Sequence, residues 1–417
     1  MKRLYSLDLI RGVAIVGVVI LHSLLRWTET SRILSGQEQP SSFILFVGLF
    51  FTMAGIFFIV SGIVNAFAMY KRVSTHRNTL KEILFGAFVT GSWLIFLNYV
   101  YRIFLSIGFD DIERSPPGII VGALRTGSLV LPSPEKIIGP GALLLIGSAV
   151  ILVVGVLAIL FRGGGHGKVR RDYMVLGLVG ATVLLATPFV RTALVPMVSE
   201  AIANQNYLVA FSLGYLAADL MPIFPYLGYG FFGAILGIAL ACGEAFRKIR
   251  GYTALFGFSW FIFGLVGFLV NRGTSSSQSL RPDIIGWCFI RYMNLGLFTL
   301  LVLIGLVVLD FAPHERKEKL IKLSTPLRRF GTISLTVFCL EGIMAEFLEM
   351  IANLMFPGWN NELGYVALFG VVSVFIWWFL LKHWERKNFI GSLEWQITKI
   401  AEKLSGKKST KLNVKDL

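Results

Sequence analysis

Ten apolar runs of roughly membrane-crossing length recur from one end of the chain to the other, and no other feature restricts the fold as much. A helix needs about 20 apolar residues to cross a hydrocarbon core of about 30 Å. The runs fall at about 6–26, 44–70, 82–104, 137–161, 173–194, 219–242, 252–270, 284–310, 330–356 and 363–382. Backbone polar groups in lipid find partners only within a helix or a closed barrel, and none of these runs alternates with period two. The expected fold class is therefore all-α, a polytopic integral membrane protein with about ten transmembrane helices. Residues 118–131 are apolar but short, and read as a re-entrant or interfacial piece. Only 15% of the 417 residues are charged and 55% are hydrophobic, which leaves no stretch able to build a separate water-soluble core. The chain divides into a membrane domain, 1–390, and a basic tail, 391–417, in which Leu393, Ile397, Ile400 and Leu404 share one helical face and suit the surface of a leaflet.

The net charge of +15 is distributed by topology. With a cytoplasmic N-terminus, alternate loops collect 28 of the 39 Lys and Arg on the cytoplasmic side. That asymmetry predicts a multi-pass protein of the cell (plasma) membrane with both termini cytoplasmic, in contact with anionic membrane lipids. No stacking platform or nucleic-acid motif accompanies the basic residues, so nucleic acid is not an expected partner. Cys242, Cys288 and Cys339 lie singly inside apolar runs without metal-ligand spacing and read as small packing residues; no metal is expected. Lys2 and Arg3 before an apolar run resemble a signal peptide. Asp8 and Arg11 interrupt that run and no small-residue cleavage site follows, so a retained first helix is expected. The external loops 105–136 and 195–218 are long, carry several prolines, and are placed to cap a cavity.

Charge within a bilayer costs about 2.5–3.5 kcal/mol per group on insertion scales, so each instance needs a reason. Asp8, Arg11 and His22 fall within about 60° of one another on the first helix and form one stripe. Arg11 and His22 lie about 16 Å apart along its axis. Asp8 and Arg11 have the i, i+3 spacing of an ion pair. Arg11 also suits an anionic ligand arriving from the cytoplasm, and His22 is the one histidine placed to act as a base from within the bilayer. Glu341, near mid-membrane on the ninth run, either pairs or orients a histidine; Glu346 and Glu349 approach the external end. Asp219 marks a helix start or faces an external cavity. Gly228, Gly230, Gly233 and Gly237, with Ser61-Gly62, permit close helix approach. No Walker loop, dinucleotide fingerprint, zinc helix or serine elbow is present.

The opening Arg3-Leu4-Tyr5-Ser6-Leu7-Asp8-Leu9-Ile10-Arg11-Gly12-Val13-Ala14-Ile15 resembles the first-helix signature of the transmembrane acyltransferases. Within them it is similar to the heparan-α-glucosaminide N-acetyltransferase-like membrane proteins, in their microbial form without the luminal domain. Further likenesses are the stretch 53–62, the proline-led glycine helix from Phe224-Pro225 to Gly237, and the pair Gly331–Thr336 and Gly391-Ser392-Leu393-Glu394-Trp395. In the wider superfamily an arginine and a histidine separated by ten residues on the first helix are tied to catalysis, a spacing that Arg11 and His22 match. The resemblance implies transfer of an acyl group, most simply acetyl from cytoplasmic acetyl-CoA. The acceptor it implies is an amine or hydroxyl of a sugar or envelope glycan on the external side. The expected site has His22, Glu341 and Asp8 as catalytic groups, and Arg11, Lys71, Arg72, Arg328 and Arg329 holding the CoA phosphates. The rival reading is a transporter or flippase using the Asp/Arg/His/Glu stripe, against which the lack of an internal repeat counts. A homodimer is left open.

Overall fold

The computed structural model describes residues 3–34, 54–76, 78–108, 116–217, 221–274 and 284–405. Among these residues there are helices and no strands. In chain order the helices are α1 (Tyr5–Leu24), α2 (Thr28–Leu34), α3 (Ala54–Ser74), α4 (Leu80–Val100, continued by a π turn to Leu105), α5 (Ile119–Thr126), α6 (Pro134–Ile138), α7 (Ala142–Phe161) and α8 (Val169–Ala203). They are followed by α9 (Tyr207–Ala217), α10 (Ile223–Cys242), α11 (Phe246–Thr274), α12 (Ile284–Gly305, continued by a π turn to Asp310), α13 (His314–Thr332), α14 (Ser334–Met355), α15 (Leu363–Glu385) and α16 (Leu393–Ser405). Nine of the described helices are long and apolar enough to cross a membrane, so the chain is an all-α polytopic membrane protein. The tenth expected segment, 330–356, is present as α14, long enough but too rich in carboxylate to meet the same measure of apolarity. Its Glu341, Glu346 and Glu349 are all buried, so their polarity faces protein and not lipid. The outward faces are lipid-like: Leu178, Leu185 and Phe189 on α8 are 70%, 55% and 77% exposed, a display that water would penalise.

The glycine pattern sets how closely helices approach. α3 packs along α10, and a Cβ at Gly62, Gly233 or Gly237 would collide with the backbone carbonyl of Gly230, Ile59 or Ile63. The helices are therefore in backbone contact, the packing that small residues allow where no hydrophobic drive separates lipid from protein. α1 makes a similar contact with α13, where Gly12 meets Leu327 and Gly331 meets the Asp8 carbonyl. The three cysteines form no disulfide among the described residues, and Cys288 and Cys339 are buried.

Two expectations for the loops change. Residues 195–203 continue α8, which keeps Pro188 and Pro196 inside a 35-residue helix, and α9 follows after a short turn. Prolines survive in such helices because neighbours re-satisfy the freed carbonyls. The 118–131 segment holds the short helix α5, packed on α14, and α6 precedes α7.

The contacts sort the helix ends into two sets. At one end Tyr70 meets His166, Phe246 stacks on Phe311 at 4.1 Å, Tyr5 and Ser6 bond Asp310, and Arg329 pairs with Glu385 at 2.7 Å. At the other, Trp27 bonds the Asn361 carbonyl, Arg125 pairs with Glu346, and Arg102 donates to the Lys136 and Pro140 carbonyls. Successive described helix ends alternate between the two sets. Asp310 takes the place of an N-cap for α1, since Leu4 offers no acceptor. Its oxygens accept from the Tyr5 and Ser6 amides at 3.1 and 3.2 Å and from Ser6 Oγ at 2.5 Å.

Candidate functional site

The stripe on α1 faces protein along its length. Asp8, nearly buried, accepts from Arg3 Nε at 2.6 Å and from Arg11 Nη2 at 2.5 Å, so the i, i+3 pair is joined by a second cation from the residues before the helix. Arg11 keeps about a third of its side chain exposed and borders a cavity of about 270 Å³. The wall of that cavity is mainly apolar, drawn from α1, α3, α4, α7 and α14; Ser61, Asn65, Thr90 and Ser334 are its other polar residues. A cavity of about 150 Å³ lined by Leu, Ile and Phe holds a benzene ring, so this one admits a flexible chain considerably longer than that.

Beyond the cavity the stripe continues through Val18 to His22. Phe338 lies between: it lines the cavity, packs beside His22 with ring centroids 6.4 Å apart, and leans on Tyr101 at 4.8 Å. His22 Nδ1 contacts Glu341 Oε1, uniting residues 319 positions apart. Glu341 is buried and its Oε2 has no hydrogen-bond partner among the described residues. A carboxylate on Nδ1 favours the tautomer with hydrogen there, which leaves the Nε2 lone pair to accept a proton. Beside the pair is a recess of about 10 Å³ bordered by Val19, Ser23, Arg26, Ile107, Met344, Ala345 and Ser373, about the room one water-sized group needs.

A buried ionic bridge closes the far side of the recess. Arg26 Nη2 donates to Glu346 Oε1 at 2.9 Å and Arg26 Nη1 contacts Glu349, while Arg125 Nη2 reaches Glu346 at 2.6 Å. The sequence reading named both glutamates without their partners. Arg26 is four residues after His22 and so on its helical face, a signal lost because the apolar run was closed at that residue.

The remaining expected residues are placed as follows. Lys71 and Arg72 sit in the last turn of α3, whose Ser61 and Asn65 line the cavity, and Arg72 is exposed. Arg329 is paired with Glu385. Arg328 is fully buried and turned onto its own helix, donating to the Ile321 carbonyl at 2.8 Å and to Thr325 Oγ1 at 3.1 Å, with Tyr5 beneath it. It is therefore committed to structure and does not face the cavity. Asp219 lies outside the described residues.

The two C-terminal motifs meet. Glu394, the second residue of α16, accepts from the Leu335 amide at 2.7 Å and from Thr336 Oγ1 at 2.6 Å. Its carboxylate thus stands at the positive end of α14, next to Ser334 and Leu335 of the cavity wall. Burial pushes the Glu394 carboxyl above the ordinary range, and the Thr336 hydroxyl opposes that shift. Leu393 packs among Leu97, Leu143, Leu335 and Phe338. The tail helix is thus inserted at its first turn and amphipathic only beyond it.

No protein-family model matches this chain, and no curated protein matches it either. Among the described residues no cluster of His, Cys, Asp and Glu has the arrangement of a metal site.

Proposed function

We propose that the chain is a membrane-embedded acyltransferase that moves an acyl group, most simply acetyl, from acyl-CoA to an amine or hydroxyl. The pairing of His22 with Glu341 carries this reading, because a histidine backed by a buried carboxylate is the arrangement of a general base. Arg11 at the mouth of the 270 Å³ cavity suits a CoA phosphate, with Lys71 and Arg72 on the neighbouring helix end. A pantetheine arm suits the apolar wall with its few scattered polar groups. His22 Nε2 takes the proton of the acceptor N–H or O–H as its lone pair attacks the thioester carbonyl carbon. The C–S bond breaks, and the departing sulfur takes that proton from His22 to leave as free CoA. Glu341 holds the ring in position and stabilises the transient imidazolium.

The Arg11 end is assigned to the cytoplasm, on the charge bias, and both termini with it. The acceptor, a sugar or envelope glycan, then approaches from the side sealed by Arg26 and Glu346, in the cell membrane. One observation favours the transporter reading. The recess beside His22 is small and bordered by Arg26 of the ion bridge, and Phe338 stands between His22 and the Arg11 cavity, as in an occluded transport path. CoA dependence separates the two. With acetyl-CoA and glucosamine as probes, His22→Ala is expected to lower thiol release at least 100-fold with the protein still folded. An unchanged rate would remove His22 from the chemistry.

A further inference from the structure

A further buried cation, outside the lining of the Arg11 cavity and of the His22 recess, lies on α12. Arg291 is on α12, seven residues from its start, and is only 9% exposed. Its guanidinium lies over Trp287 at 4.7 Å and near Tyr226 of α10 at 5.9 Å, and the same indole carries Arg191 of α8 at 3.8 Å. Arg191 is held by the Ala217 carbonyl at 3.1 Å, among its partners. The Arg291 guanidinium makes no ion pair or hydrogen bond with the described residues, and its Nε is buried without a partner. The surround is rigid. Tyr229 donates to the Arg291 carbonyl, Tyr292 donates to the Leu184 carbonyl at 2.8 Å, and Tyr226 stacks on Phe58 at 5.0 Å.

Arginine stays protonated in any protein setting, so Arg291 cannot escape by losing its charge. Two ring faces return less than full burial of a guanidinium costs, and the balance calls for an anion. Depth selects its chemistry. With its π turn, α12 has 27 residues and spans about 40 Å, close to a whole bilayer including headgroups. Seven residues from its end is about 10 Å, near the boundary where lipid phosphates meet hydrocarbon.

We propose that Arg291, framed by Trp287 and Tyr226, is a binding site for a phosphate oxyanion of a membrane amphiphile, separate from the His22 site. The guanidinium fork matches two phosphate oxygens, and the indole and phenol faces hold it in place for them. The proposal is independent of acyl transfer and stands whether or not the chain uses CoA.

The test uses the full chain, purified and delipidated in detergent, titrated separately with phosphatidylglycerol, diacylglycerol and inorganic phosphate. Binding is followed by thermal shift and by retained lipid in native mass spectrometry. Phosphatidylglycerol is expected to bind the wild type saturably, at least tenfold more weakly in Arg291→Gln and intermediately in Arg291→Lys, with no effect of diacylglycerol. Inorganic phosphate binding with the same Arg291 dependence, without lipid binding, would keep the phosphate site and assign it to a soluble ligand. Equal response of wild type and Arg291→Gln to every probe, or equal binding of diacylglycerol, overturns the proposal. Should Arg291→Gln fail to fold, Arg291→Lys decides: unchanged phosphatidylglycerol and phosphate binding in that variant overturns it equally.

Discussion

Two regions of this bundle hold their buried charges by opposite means. Around α1 and α14 each cation meets a carboxylate: Arg3 and Arg11 meet Asp8, His22 meets Glu341, and Arg26 and Arg125 meet Glu346. Around α12, Arg291 meets aromatic faces. The first arrangement supplies most of its counter-charge from within the protein, and borders a small recess beside His22 and Glu341. The second holds a permanent positive charge for something else to neutralise.

This contrast predicts a ranked response to removing charge. Arg26→Met strands Glu349 and leaves buried Glu346 to Arg125 alone, and is expected to cost about 3–5 kcal/mol, the scale for breaking one member of a buried pair. Denaturation in mild detergent measures it, and a loss under about 1 kcal/mol would mean water already reaches the bridge. Asp310→Ala removes the distant cap of α1 and is expected to cost about 1–2 kcal/mol by the same assay, with Arg11 and His22 less firmly placed. Arg291→Met leaves no stranded carboxylate. In delipidated detergent it is expected to change stability by less than about 1 kcal/mol in either direction, and a loss like that of Arg26→Met would erase the distinction between the two regions.

How much of this was legible in the sequence depended on the distance between interacting groups. Length and apolarity located ten helices, nine of them apolar enough to cross a membrane, because lipid enforces helix wherever about 20 apolar residues run together. The Asp8–Arg11 pair was readable because both lie within one turn. The proximity of His22 and Glu341 was readable only as an option, since 319 residues separate them. Arg26 and Arg125 escaped notice because Arg26 is the last residue of its apolar run and Arg125 lies in the short segment 118–131, at an interface where charge is ordinary. Arg191 and Arg291 escaped for the opposite reason, being averaged into runs hydrophobic enough to hide a single cation. Arg328 appeared in sequence to be half of a phosphate-binding pair with Arg329. Its helix instead turns it inward, and adjacent residues on a helix point about 100° apart.

The central claim is that the Arg11 cavity receives an acyl-CoA and delivers its thioester to the His22–Glu341 pair. The most direct measurement is calorimetric titration of acetyl-CoA into the wild-type chain in lipid nanodiscs, alongside Arg11→Ala and His22→Ala. The account predicts saturable binding by wild type, at least tenfold weaker binding by Arg11→Ala, and near wild-type affinity in His22→Ala, where only the chemistry is lost. Absence of binding by folded wild type, or binding indifferent to Arg11, would contradict it.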